Sequence, residues 1–381
     1  APAKGKIRVT KTDKETDKPI PSGAEFTVTA AEDITTPDGT IRTEKGTVVA
    51  TLTTDEKGKA ETEALYLGKY VVKETKAPNG YLLNPKEFAV TLEYEDQETE
   101  IVYGNVTVPD ELAKGKIRVK KTDAETGNGL SGAEFEIRAK EDIITPDGTV
   151  KVKAGTVVDT IKTSDKGTAE TKELYLGKYE VQETKAPEGY LLNTQKYPVE
   201  LIYADQETEI VYGDVTVPDE IAKGKIRITK TDKETNKPIP SGAEFTVTAA
   251  EDITTPDGTV RAEKGTVVAT LTTDDKGKAE TDKLYLGKYV IKETKAPEGY
   301  LLNPKEFEVT LAYKDQTTEI VYGDVTVPNQ PAKGQIEILK KDEETGNLLS
   351  GTEFTVTAAE DITTPDGTVR AEKGTVVDTI V

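Results

Sequence analysis

The sequence predicts an all-β chain made of tandem β-sandwich domains. Three observations predict this: a repeat as long as a whole domain, strand-favouring residues alternating with a period of two, and turn signals at regular intervals. The repeat is the first of these. The segment Lys4-Gly5-Lys6-Ile7-Arg8-Val9-Thr10-Lys11-Thr12-Asp13 recurs at 114–123 and 223–232, with a variant at 333–342. Following one lysine through the copies gives Lys11, Lys121, Lys230 and Lys340, in steps of 110, 109 and 110 residues. A period this long is one domain and not a solenoid unit. The chain therefore divides into repeat 1 (1–108), repeat 2 (109–218), repeat 3 (219–328) and the first half of a fourth (329–381).

Within each repeat the alternation is that of strands, as in Ile7-Arg8-Val9-Thr10-Lys11 and Glu25-Phe26-Thr27-Val28-Thr29. Val, Ile, Thr and Tyr outweigh Leu and Ala, which favours strands. Turns are signalled by Pro37-Asp38-Gly39, Asp55-Glu56-Lys57-Gly58, Leu67-Gly68-Lys69 and Pro78-Asn79-Gly80. Seven to nine short strands in roughly 110 residues point to an Ig-like sandwich. The stretch 30–45 reads as a longer excursion, carrying an extra hairpin or a short helical turn. The junctions Val106-Thr107-Val108-Pro109, Val217-Pro218 and Val327-Pro328 are short, contain proline and lack any Gly/Ser tract. They predict an elongated, semi-rigid rod.

Composition excludes several classes. The chain has no Cys and no His, which rules out disulfides and thiolate metal sites and removes the commonest general base. A net charge of −20 repels nucleic acid and anionic membrane, so neither is an expected partner. No run of eighteen or more apolar residues predicts a transmembrane helix, and residues 1–30 lack the apolar core of a signal peptide. Together with the absence of Met, this suggests a mature or excised segment. The Asp-bearing turns are too sparse for a calcium loop, and no phosphate loop, nucleophile elbow or zinc spacing occurs. No cofactor or metal is expected.

Three positions per repeat carry chemistry. On the first strand Ile7, Val9 and Lys11 share a face opposite Arg8 and Thr10, which aims Lys11 inward; the same holds for Lys121 and Lys230. On the strand 69–74, Glu74 shares a face with Tyr70 and Val72. Repeat 2 is sharper, since Tyr179, Val181 and Glu183 alternate with Glu180 and Gln182; repeat 3 has Glu293. The last strand offers Asn105, on the face of Ile101 and Tyr103, with Asp214 and Asp324 in later repeats. There the opposite face, with Val102, Val106 and Val108, competes for the interior.

A buried ammonium is costly, so its pKa falls toward the nucleophilic amine, while a carboxyl in the same pocket is raised and stays protonated. Such an acid shuttles protons as the amine attacks an amide or acid, with loss of ammonia or water. On pattern alone each Lys equally fits a strand-end side chain snorkelling to solvent. Each Glu equally fits an exposed ion pair, and Asn105 and its counterparts a turn former after Gly104, Gly213 and Gly323.

The residues also carry a resemblance. Ile-x-Val-x-Lys-x-Asp, Ser22-Gly23-Ala24-Glu25-Phe26, Leu65-Tyr66-Leu67-Gly68-Lys69-Tyr70 and Val72-Lys73-Glu74-Thr75-Lys76-Ala77-Pro78-Asn79-Gly80-Tyr81 resemble the collagen-adhesin B-type (CnaB-like, SpaA-like pilin) domain. The likeness covers each complete repeat, and the Glu-Thr-x-Ala-Pro-x-Gly-Tyr segment is its most specific part. It implies an autocatalytic isopeptide bond joining Lys11 to Asn105 with Glu74 as proton shuttle, Lys121 to Asp214 with Glu183, and Lys230 to Asp324 with Glu293. Lys340 has no partners within this chain. The resemblance further implies a stalk or fibre segment of a Gram-positive surface adhesin or pilus, extracellular and structural, with no turnover catalysis. Neighbouring repeats would meet end to end. Any host extracellular-matrix protein would be bound outside this segment, with direct matrix binding by the repeats, or pilin-like polymerisation, as alternatives.

Overall fold

The computed structural model describes residues 2–21 and 23–381; Ala1 and Ser22, the latter part of the motif quoted above, lie outside the described residues. Among these the regular structure is all strand. The chain forms two units, one of Ala1–Pro187 with Leu192–Asp219 and one of Glu188–Leu191 with Glu220–Val381.

Repeat 1 shows the plan. Its strands are β1 (Lys4–Asp13), β2 (Glu25–Ala30), β3 (Ile34–Thr35), β4 (Ile41–Thr43), β5 (Val48–Thr53), β6 (Lys59–Glu61), β7 (Leu65–Tyr66), β8 (Gly68–Lys76), β9 (Glu87–Leu92) and β10 (Ile101–Asp110). One sheet has β10, β1 and β6 in order, with β7 also pairing β1; the other runs β5-β2-β8-β9. The excursion at 30–45 is the hairpin β3–β4, of the two forms expected.

The faces follow the alternation. Ile7 and Val9 from one sheet, and Phe26, Val28, Tyr70 and Val72 from the other, fill a core closed by Leu92 and Val108. Their polar neighbours face solvent, which is the pattern of a two-sheet sandwich. Repeats 2 and 3 repeat the plan, with cores around Ile117, Phe135 and Val181, and around Ile226, Phe245 and Ile291.

The first and last strands are hydrogen-bonded neighbours and run parallel. Lys11 lies opposite Val108, and Asp13 opposite Asp110. Strands this far apart in sequence pair only because the whole domain intervenes. β10 continues two residues past the boundary drawn at 108, straight through Pro109. It sits at the edge of its sheet, where a residue without an N–H is tolerated.

Candidate functional site: a buried Lys–Glu–Asp/Asn triad in each complete repeat

The inward face of β1 ends in Lys11, which is fully buried. Its Nζ lies 2.7 Å from Oε1 of Glu74, on β8 of the opposite sheet, and contacts Oδ1 of Asp110 at the end of β10. All three side chains are sealed from solvent. The ring of Phe26 caps the pocket, 5.8 Å from Nζ. Glu74 is held in place through Oε2, which accepts from the backbone N–H of Asn84 at 2.8 Å, and the Asn84 side chain donates to the carbonyl of Pro109 at 2.6 Å. One asparagine thus ties the strand carrying Glu74 to the strand carrying Asp110. The loop beyond β8 folds back for this purpose, and its Asn193 and Asn303 counterparts make the same bonds.

The arrangement recurs. Lys121 lies 2.9 Å from Glu183 and contacts Asp219; Lys230 lies 2.7 Å from Glu293 and contacts Oδ1 of Asn329. Phe135 and Phe245 stand 5.8 Å from the respective amines.

The third member corrects the sequence reading. Lys and Glu meet where the alternation aims them, but the residue that joins them is Asp110, Asp219 or Asn329, and not Asn105, Asp214 or Asp324. The buried face of β10 is that of Val102, Val106 and Val108, so Asn105 points outward beside Arg8. Asp214 accepts two hydrogen bonds from Arg118, at 2.8 and 2.9 Å, on the solvent face; Asp324 takes the same pair from Arg227. Those guanidinium groups hold both carboxyls below the usual range. Where the position is Asn105, Arg8 turns to Glu61 instead, at 2.7 Å. Gly104 is a buried residue within the strand, so the turn-former reading of its successor falls too. A signal for the true position was present: the period of two running Val106, Val108 continues to Asp110. Reading Pro109 as the start of a junction cut the pattern one step short.

The charge balance of the pocket follows from its atoms. In repeat 3 the Asn329 amide donates to both oxygens of Glu293 at 3.0 Å. In repeats 1 and 2 the corresponding atom is a carboxylate oxygen. Asp110 Oδ2 and Asp219 Oδ2 are buried without a hydrogen-bond partner among the described residues, and Glu74 Oε1 and Glu183 Oε1 are buried with only their ion pair to the lysine. Two facing carboxylates in a dry site cannot both be ionised, so the pair retains a proton. Burial pushes Asp110 up to about 8, against the pull of Lys11 and with the help of Glu74. Asp219 rises to about 7, again chiefly by burial. The sequence reading gave a proton to the Glu; the structure sets beside it an Asp that burial raises. In repeat 3 burial lowers Lys230, against Glu293, which supports its charge. An Asp carboxyl raised by burial, or an Asn amide, thus lies against the lysine Nζ, with the Glu carboxyl on its other side.

Among the described residues no cluster of His, Cys, Asp or Glu has the form of a metal site. Nor is any helix there long and apolar enough to cross a membrane.

Comparison with known proteins agrees with this architecture. No curated protein matches the chain significantly. Among solved structures the chain is similar to the Bacillus anthracis TIE protein, at 28% identity and a TM-score of 0.56, over 86% of this chain and 51% of that one. It spans about half the length of that protein. It is also similar to a streptococcal ancillary pilin (20% identity, TM-score 0.26, 86% and 99% coverage) and to BcpA, the major pilin subunit of Bacillus cereus (17%, 0.32, 86% and 100%). Residues 5–107, 115–216 and 224–326 each match the SpaA prealbumin-like fold domain, and the chain belongs to that family in three tandem copies.

Proposed function

We propose that the chain is a load-bearing spacer in a Gram-positive surface stalk or pilus-like fibre. In this reading each complete repeat is closed by one self-formed amide: Lys11 to Asp110, Lys121 to Asp219 and Lys230 to Asn329. The observation that carries it is the sealed pocket in which a lysine Nζ touches an Asp carboxyl or Asn amide beside a Glu carboxyl.

The chemistry balances. Glu74 takes a proton from the Lys11 ammonium. The free amine attacks Cγ of the protonated Asp110, the C–N bond forms, the C–O bond breaks, and water leaves. In repeat 3 the Asn329 C–N bond breaks and ammonia leaves. The Glu ends protonated and the pocket neutral. Each lysine is consumed once, so this is not turnover catalysis.

The mechanical gain follows from the parallel pairing of β1 and β10. Tension entering at Lys4 and leaving after Asp110 would run along β1 to Lys11, cross the amide and exit, bypassing the 98 residues between the linked pair, whose separation is 99 positions. By the chain-entropy argument borrowed from disulfides, closing a loop of that size adds about 4.7 kcal/mol. That matters in a chain with no cysteine.

Intact mass should show a deficit of two waters and one ammonia. The same total would arise from links to Asn105, Asp214 and Asp324, so the deciding measurement is peptide mapping. The ammonia should be lost from the Lys230–Asn329 pair and water from the other two. Asn105→Ala should leave all three links intact, whereas Asp110→Ala should abolish the first. Unlinked peptides in a folded chain would refute the proposal.

A further inference from the structure

Two junctions, one inside each unit, use the same contacts. At the first, the Pro146 ring of repeat 2 packs on Gly80, where an added methyl would meet Pro146 Cγ at 2.7 Å; Gly80 also has φ of +90°. Only glycine suits that position on both counts. Thr16 donates to Asp147 at 3.1 Å, and Lys18 to Thr149 at 3.0 Å. Glu15 accepts from Lys114, Lys151 and Tyr175, each at 2.8 Å. Burial acts to raise Glu15, but these three donors hold it down at about 2. The Tyr203 hydroxyl donates to the Tyr81 carbonyl at 3.0 Å, and Gln206 accepts from the Ala77 N–H at 2.9 Å.

At the second junction Thr235 donates to Asp366 at 2.9 Å and Lys237 to Thr368 at 3.1 Å. Arg370 spans Asp232 and Glu234, at 2.6 and 3.0 Å, and Lys333 reaches Glu234 at 3.0 Å. The hairpin of one repeat therefore plugs into the Asp-x-Glu-Thr loop and Pro-x-Gly-Tyr turn of the repeat before it.

Repeat 1 carries the same plug, laid open. Asp38, Thr40 and Arg42 are exposed, whereas their counterparts Asp147, Thr149 and Lys151, and Asp366, Thr368 and Arg370, are half-buried; Pro37 is exposed, as Pro146 and Pro365 are. Tyr94, the counterpart of the half-buried Tyr203, is 58% exposed. Arg42 is already posed: its Nε donates to Thr36 at 3.1 Å, as that of Arg370 donates to Thr364 at 3.0 Å. We propose that the face of repeat 1 formed by Lys4, Pro37, Asp38, Arg42, Tyr94 and Gln97 is a docking surface for a preceding repeat of the same kind. That partner would present an Asp-x-Glu-Thr loop beside a Pro-x-Gly-Tyr turn, so that acidic side chains meet Lys4 and Arg42. Docking does not depend on the amide links.

The test extends the full chain at its N-terminus with a second copy of residues 1–113, joined to Lys4 of the original and carrying Tyr94→Phe. Tetranitromethane nitration is then read peptide by peptide. Tyr94 of the original repeat should become several-fold less reactive than in the unextended chain, approaching Tyr203. Glu15→Lys in the added copy should restore its reactivity. Unchanged reactivity of Tyr94 while Tyr203 stays protected overturns the proposal, as does protection that survives Glu15→Lys. If Tyr94 of the unextended chain becomes protected as concentration rises, the occupant is a second copy and docking of a linked repeat is wrong.

Discussion

Repeat 3 and residues 333–381 have nearly the same sequence pattern and opposite fates. In repeat 3, Ile226, Ile228 and Lys230 are buried on a ten-residue strand. In the fourth copy the corresponding stretch, Gln335-Ile336-Glu337-Ile338-Leu339-Lys340, forms no strand, and Ile336 and Leu339 are 64% and 62% exposed. The strand pairs that form are Phe354–Thr357 with Val376–Ile380 and Ile362–Thr363 with Val369–Ala371, beside a single bridge between Lys341 and Leu348. Residues 333–381 contain no counterpart of the strands 287–295 and 320–329. Without them the first strand has no parallel neighbour and only two strands of the facing sheet. Alternation therefore marks a face, but burial needs the second half of the domain. Lys340 is exposed for the same reason.

The largest expected effect comes from supplying that half. Appending a copy of residues 273–329 after Val381 should convert the fourth copy into a complete sandwich. The chain should then lose one further ammonia, through a link from Lys340 to the appended asparagine, read by intact mass. If the appended chain folds by hydrogen exchange yet loses no further mass, the triad is insufficient for linking.

A smaller effect comes from removing the proposed link from repeat 3 while keeping its ion pair. Asn329→Ala leaves Lys230 and Glu293 together. It should cost repeat 3 about 4–5 kcal/mol, the loop-closure contribution. For a domain of this size that lowers its melting temperature by on the order of 20 °C. Calorimetry should show repeat 3 melting well before repeats 1 and 2.

The smallest effect separates acid from amide acceptors by pH. Asp110 is raised to about 8 and Asp219 to about 7, and in the proposed reaction each would react as the neutral acid. A carboxyl whose folded pKa is raised stabilises the unlinked fold below the ordinary carboxylate range, near 4, and that contribution disappears as pH rises through 7 to 8. Refolding at pH 6 and pH 9 with timed mass spectrometry should show the two water-loss links slowing at pH 9, that of repeat 2 from a lower pH. The ammonia-loss link should not slow, because Lys230 is already lowered by burial and Asn329 does not ionise.

Much of the site was legible in the sequence. Ile7, Val9 and Lys11, and Tyr70, Val72 and Glu74, fall on single faces by a strictly local rule, and the packed repeat has them inside. Asp110 escaped because the rule was stopped at Pro109, which is a strand residue only by virtue of its place on a sheet edge. The excursion at 30–45 resisted placement for a different reason: its role lies between repeats, where no periodicity within one repeat can reveal it.

By itself the sequence determined the repeat, the strand faces, and the inward aim of a lysine and a glutamate in each complete copy, because side-chain alternation is set by backbone geometry within a few residues. Tertiary structure alone decided which residue meets that lysine and where the hairpin docks. Both depend on pairings between distant positions, Lys11 with Asp110 across 99 residues and Thr16 with Asp147 across 131. Such pairings are fixed by strand register and domain packing; the period of two can put Asp110 on an inward face, but it cannot say which residue meets it there.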